Sequence, residues 1–406
     1  MLDVRHGVLR ERAVLQVAGG VITAIDLDVA AADVPASAID LSDYTVLPGL
    51  IDVHTHLADN SHMGPAFDHW TYPAATFGIV GTVNARTTLR AGFTTVRDVS
   101  APFYADKALR DAIGAGWIEG PRMYISGPML TMTGGHGTWG NWIAPQHQVK
   151  TDAHAQADGV DEVRKAVRTL VRNRVDLIKV AATGGFGTAA SIPGAASYSV
   201  EELKTIVEEA RKHGLKVAAH AHGAAGIVNA VEAGIHSIEH GTMMDDAALA
   251  AVKKARTWVV MDLLAAHFDL IERNADFSDK QLTGSNAEEY ERYASVFRRA
   301  YEGGVRLAFG TDAGIYPHGR NAEQFSLMVQ AGMAPDDALR SATIWAAELL
   351  EASDEFGELK AGLSADLIAV AGNPLTDIST LESVRFVMKQ GKVVVNVSGA
   401  SEAQDH

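Results

Sequence analysis

Read as runs of apolar and polar positions, the chain divides into a long middle and two short ends. In the middle, compact apolar stretches alternate with segments whose apolar positions recur every three or four residues. The stretches at 50–54, 94–98, 122–126, 176–181, 216–220, 236–240, 257–261 and 306–310 are too short for helices and predict eight strands. Helical stripes lie between them. Leu203, Ile206, Val207 and Ala210 fall on one face, Ser199 and Glu202 have the spacing of a capping box, and Gly214 ends the segment. Val163, Val167, Leu170 and Val171 repeat the same period. Strand then helix, eight times over, predicts a closed (β/α)8 TIM barrel of α/β class, with an open doubly wound sheet as the alternative.

The two ends read differently. VLQVAGGVITAIDL places Gly19-Gly20 between two apolar runs and predicts a hairpin. DLIAVAG, RFVMKQG and KVVVNVSG predict further short strands near the other terminus. Together they predict a composite small β-domain, a β-sandwich built from residues 1–48 and 362–406, around a catalytic barrel at 49–361.

Composition narrows the function classes. The 406 residues are 47% hydrophobic and 21% charged, which suits a chain with a large core. A net charge of -15 disfavours nucleic acid as a partner. The absence of cysteine removes disulfides, thiolate ligands and thiol nucleophiles together. No stretch is long and apolar enough to suggest a membrane span. A cytoplasmic enzyme is expected, although a removed leader peptide would leave the same picture. The alanine-rich run PDDALRSATIWAAELLEA offers a face for a homo-oligomer.

The chemistry lies where the predicted strands end. His54 and His56 are two apart, so both imidazoles face one side and can share a metal. A lone His-x-His is more often a surface pair; its place at the opening of the barrel changes the odds. His220 and His240 end their strands in the same way, and Asp312 follows the last strand. Lys179 interrupts the apolar DLIKVA. A buried ammonium is costly, and burial depresses its pKa. The bland reading is an internal ion pair; the sharper one is a neutral amine that takes up carbon dioxide to become a carbamate on Lys179 bridging two divalent ions. Imidazole and carboxylate donors suit zinc, with manganese or cobalt as substitutes.

LPGLIDVHTHL, the lysine of DLIKV, His220 in AAHAHG, His240 in SIEHG and Asp312 in FGTDAG follow one another in order, and GLSADLIAVAGNPLTDI closes the series. In these motifs the chain resembles the amidohydrolase superfamily over nearly its whole length. The resemblance is to the binuclear branch with a carboxylated lysine, and within it to prolidase-like dipeptidases and bacterial ochratoxin amidohydrolases. It implies that His54, His56 and Asp312 hold one metal, that His220 and His240 hold the other, and that Lys179 bridges them.

The implied activity is hydrolysis of a small amide that releases a C-terminal amino acid. The substrate would be a dipeptide, an N-acyl amino acid, or ochratoxin A cleaved to ochratoxin alpha and phenylalanine. Asp312 would carry the proton from nucleophile to leaving nitrogen, and His136 of TGGHG would hydrogen-bond the developing oxyanion, unless it only bonds local backbone. His222, Tyr198 and Arg320 are candidates for substrate binding. His62, His69, Trp70, Trp139 and Trp142 are candidates for the entrance, and Arg97 with Asp98 reads as an internal ion pair. The alternatives are a cyclic-amide hydrolase of the imidazolonepropionase or hydantoinase kind, a mononuclear deaminase, and a non-catalytic scaffold. The deaminases' His-x-x-Glu is missing, because Ala221, His222 and Gly223 follow His220. Ala219, just before His220, offers no polar group to the substrate, which sets a proline preference apart from the rest of the resemblance.

Overall fold

The computed structural model describes residues 1–61, 71–138, 141, 143–147, 153–282 and 284–397. The entrance candidates His62, His69, Trp70, Trp139 and Trp142 lie outside the described residues. All eight expected strands form and run parallel: β1 (Leu50–Thr55), β2 (Phe93–Asp98), β3 (Arg122–Ile125), β4 (Leu177–Ala181), β5 (Lys216–Gly223), β6 (Ser237–Met243), β7 (Trp258–Val260) and β8 (Leu307–Ala308). The ring closes through hydrogen bonds from Val53 N to the Phe309 carbonyl and from Asp176 N to the Ile125 carbonyl. The fold is therefore a (β/α)8 barrel.

Alternation along the strands decides what faces the interior. Ile178 and Val180 of β4, Val217, Ala219 and Ala221 of β5, and Ile238 of β6 pack outward into one core with helix residues such as Leu203, Ile206 and Ile227. The intervening positions include Lys179, His220, His222 and Glu239. Burying the outward row commits the inward row, so the strand register itself delivers the polar side chains to the barrel. The helix Val200–Arg211 carries the expected capping box between Ser199 and Glu202. One element was not expected. The long loop after β3 forms a short parallel pair, Leu130–Thr131 with Ala155–Gln156, wedged beside β4.

Both ends of the chain supply an antiparallel sheet. Tyr44–Pro48, Leu367–Ala371, Val384–Lys389 and Lys392–Asn396 lie side by side. The hairpin of Val14–Ala18 and Val21–Asp26 turns on Gly19 and Gly20, both with positive φ, as a two-residue turn of this hand requires. Its Ile22 packs with Leu367, Phe386 and Met388 of the sheet. Among the described residues no helix is long and apolar enough to cross a membrane.

Candidate metal centre

The C-terminal ends of the strands open into a cavity of about 920 Å³. At its floor the structure gathers His54, His56, Lys179, His220, His240 and Asp312. His56 Nε2 lies 2.9 Å and His54 Nε2 3.3 Å from Asp312 Oδ1. The His54 and His240 ring centres are 4.9 Å apart, and those of His220 and His240 are 4.5 Å apart. Two groups have ligand atoms within 4.8 Å of one another: His54, His240 and Asp312, and His220, His222 and His240. His240 stands in both. His222, expected at the substrate, is thus also within ligand range of a metal.

Each ring is held from behind. His54 Nδ1 meets Glu239 Oε2 at 3.0 Å, His56 Nδ1 meets the Ser100 carbonyl at 3.1 Å, and His240 Nδ1 meets Asp262 at 3.0 Å. His220 is turned the other way, with Nε2 on the Gly184 carbonyl at 3.0 Å and Nδ1 left for the centre. Metal-binding imidazoles usually donate their far N–H to a carboxylate or carbonyl in this manner, which fixes tautomer and orientation. His240 and Asp312 both have left-handed backbone, at φ of 72° and 59°. Such strain in non-glycine residues is stored at functional sites. At His240 it breaks the strand alternation, so that Glu239 and His240 both reach His54.

The charges are unevenly distributed. Burial alone would lower the pKa of His56, but the hydrogen bond and charge of Asp312 raise it to about 9. Burial also opposes ionisation of Asp312, yet His54 and His56 hold its pKa well below the usual range. Burial, then neighbouring imidazoles, pushes His220 and His222 well below their ordinary value. Lys179 is 2% exposed, and its Nζ has no hydrogen-bond partner among the described residues. Burial lowers its pKa to about 8, against the pull of Glu239 and Asp312. Leaving a buried neutral polar group without a partner costs roughly 2–7 kcal/mol, and an ammonium costs more. The donor set suits divalent cations, and a carbamate on this amine would give them the anionic oxygens that the imidazoles lack.

Three residues of this centre were missed in the sequence. Glu239 pairs with Arg97 at 2.7 Å as well as with His54, Asp262 backs His240, and Asp52 accepts from Thr311 and Asn321 to tie β1 to the segment carrying Asp312. An acidic residue inside or at the end of an apolar strand was the available signal. Arg97 therefore pairs with Glu239 and not with Asp98, whose carboxylate accepts from Leu57 N. His136 lines the cavity with its ring stacked on His220 at 4.1 Å, and burial followed by His240 and Lys179 lowers its pKa to about 3.

Two substrate candidates do not reach the cavity. Tyr198 is buried in the core with its hydroxyl donated to the Ala157 carbonyl, and Arg320 is held in ion pairs by Glu272 and Glu323. Tyr198 faces the helix layer because Ser199 begins a helix. Arg320 is drawn to two carboxylates outside the cavity. The arginines that do line it are Arg273, Arg292 and Arg299, and its apolar lining includes Met129, Phe186 and Phe277.

Known proteins resemble this chain over most of its length. A family profile described as the amidohydrolase family matches residues 45–394. The ochratoxinase of Aspergillus niger is 33% identical over 376 residues, covering 86% of this chain and 75% of that protein. A crystal structure of a Xaa-Pro dipeptidase with methionine bound in its active site superimposes with a TM-score of 0.89 at 35% identity, covering 97% of each chain. A prolidase complexed with N-methylphosphonate-L-proline gives 0.84 at 29% identity, again covering 97% of each.

Proposed function

The chain belongs to the amidohydrolase family, and from that premise we propose that it is a binuclear metal-dependent hydrolase of small amides whose leaving group is an amino acid. The substrate class comprises dipeptides, N-acyl amino acids and ochratoxin A. The similarity to a Xaa-Pro dipeptidase, a prolidase and an ochratoxinase supports this class. The observation that carries the reading is the Lys179 amine, without a hydrogen-bond partner among the described residues, in the cavity that also holds both groups of ligand-ready side chains.

His54, His56 and Asp312 would hold one ion, His220 and His240 the other, with carboxylated Lys179 between them and His222 beside the second. When bound, such ions lower the pKa of water and polarise a carbonyl. The chain's own residues do the rest. Asp312, held ionised, accepts the proton of the attacking water and passes it to the leaving nitrogen. His136 hydrogen-bonds the carbonyl oxygen as charge builds on it. The apolar wall of Met129, Phe186 and Phe277 takes a hydrophobic side chain and excludes water.

The test is a screen of dipeptides, N-acyl amino acids and ochratoxin A on the zinc-reconstituted protein, with metal content measured alongside. Release of a free amino acid is expected. Turnover confined to lactones or cyclic ureas would overturn the substrate class.

A further inference from the structure

His136 must present a hydrogen, not a lone pair, if it is to bind a carbonyl oxygen, and a neutral imidazole carries only one. Which nitrogen carries it is set by the partner of the other. His136 Nδ1 lies 3.0 Å from Thr188 Oγ1, in the loop after β4. The same hydroxyl accepts from Gly137 N at 2.9 Å. Thr188 is buried, and among the described residues His136 Nδ1 is the one acceptor its hydroxyl proton reaches. The alternative, with the proton on Nδ1, would leave that hydroxyl hydrogen without an acceptor among the described residues. Donation from Thr188 to His136 Nδ1 satisfies this hydroxyl and leaves the ring's proton for Nε2.

The ring has little room to escape this arrangement. A Cβ on Gly185 would lie 2.5 Å from both His136 Cε1 and Nδ1, so the ring packs directly on glycine backbone. Its other face stacks on His220. Thr188 is itself tethered from a third loop. Lys280, in the turn Ser278–Lys280 after β7, is buried and donates from Nζ to the Thr188 carbonyl at 2.6 Å, with Asp279 3.0 Å away as its counter-charge. A buried lysine that spends its hydrogen bond on one backbone carbonyl holds that carbonyl in place.

We propose that Thr188 and Lys280 are positioning residues: Thr188 fixes His136 as the Nε2–H tautomer aimed at the scissile carbonyl, and Lys280 pins Thr188 so that the loop after β7 must be seated for the donor to be in place. The role toward a carbonyl rests on the amide-hydrolysis reading above; the tautomer rests on the hydrogen bonds alone.

The experiment uses the full-length zinc-reconstituted protein labelled with 15N-histidine, with His136→Gln to identify the His136 signals. In the parent, Nε2 should be protonated and Nδ1 bare. Thr188→Val should scatter the proton between the two nitrogens and lower kcat about 10-fold to 10²-fold with KM nearly unchanged, since one oriented donor is worth about 10²–10³. Thr188→Ser should restore both readouts. Lys280→Met should move both in the same direction as Thr188→Val but less. A proton on Nδ1 in the parent, or a Thr188→Val protein with unchanged signals and kcat, overturns the proposal. If Thr188→Val does not fold, Lys280→Met decides, and unchanged signals and kcat there count against it. Should no amide be hydrolysed by the parent, the amide reading fails while the nitrogen signals still decide the tautomer.

Discussion

The two halves of the centre are built from the same imidazoles at similar spacings and differ in charge. On one side Asp312 stands against His54 and His56, so a carboxylate and a proton-hungry imidazole are already matched. On the other, His220, His222 and His240 face one another with no carboxylate in the group, and His220 and His222 are driven to the neutral form. The first half can meet a cation with its own negative charge. The second offers lone pairs alone, and in the proposed function a carboxylated Lys179 makes up the deficit.

That contrast can be broken in several ways. Asp312→Asn should do the most damage, about 10³-fold to 10⁴-fold in kcat, the upper part of what a positioned acid–base group contributes, with metal retained. A fully active Asn variant would take Asp312 out of proton transfer. Lys179→Ala should cost about 10³-fold, several kcal/mol of charge stabilisation, and drop metal from about two ions per chain to about one. Partial rescue by short carboxylic acids is expected, and full metal content in the variant would contradict the bridging role. Glu239→Gln should weaken metal binding about 10-fold to 10²-fold in a chelator competition, because His54 loses its anionic support. An equal affinity would show that Glu239 serves Arg97 and not the centre.

The smallest effect is on stability after chelation, and there the two halves pull in opposite directions. His56 has a folded pKa raised to about 9, so its contribution is complete below its unfolded value of about 6.5 and is lost as pH rises through 9. His220 and His222 are depressed, so they make the folded state less stable as pH falls through 6.5. In metal-free protein, His56→Gln should therefore remove a loss of stability between about pH 6.5 and 9 and leave the acid limb as it is in the parent. An identical alkaline limb in parent and His56→Gln protein would reverse the assignment.

Much of this was legible in the chain. Eight apolar runs gave eight strands because burial on the outer face leaves a local pattern, and a lysine or histidine at the end of such a run is conspicuous. Glu239 was not seen because strand alternation allows only one of two neighbours to face inward, and the left-handed turn at His240 that admits both is a tertiary effect. Asp262 carried the same signal as Asp312, an acid at a strand end, but its partner is a ring nitrogen contributed by another strand. Tyr198 and Arg320 were misplaced because proximity to a strand end in sequence says nothing of which way a loop side chain turns. Thr188 and Lys280 act across three loops, and no spacing within one segment encodes that contact.

The terminal sheet bears on how the molecule is made. Thr45 bonds Gly372, 327 positions away, and Tyr44–Pro48 has Leu367–Ala371 as its neighbour. During synthesis at about 5–20 residues per second, that early strand waits some tens of seconds with an open edge before its partner leaves the ribosome. The interval is one in which nascent chains can pair with each other instead of with themselves. Slowed translation or a missing chaperone should therefore show first as aggregation, ahead of any defect in the finished enzyme.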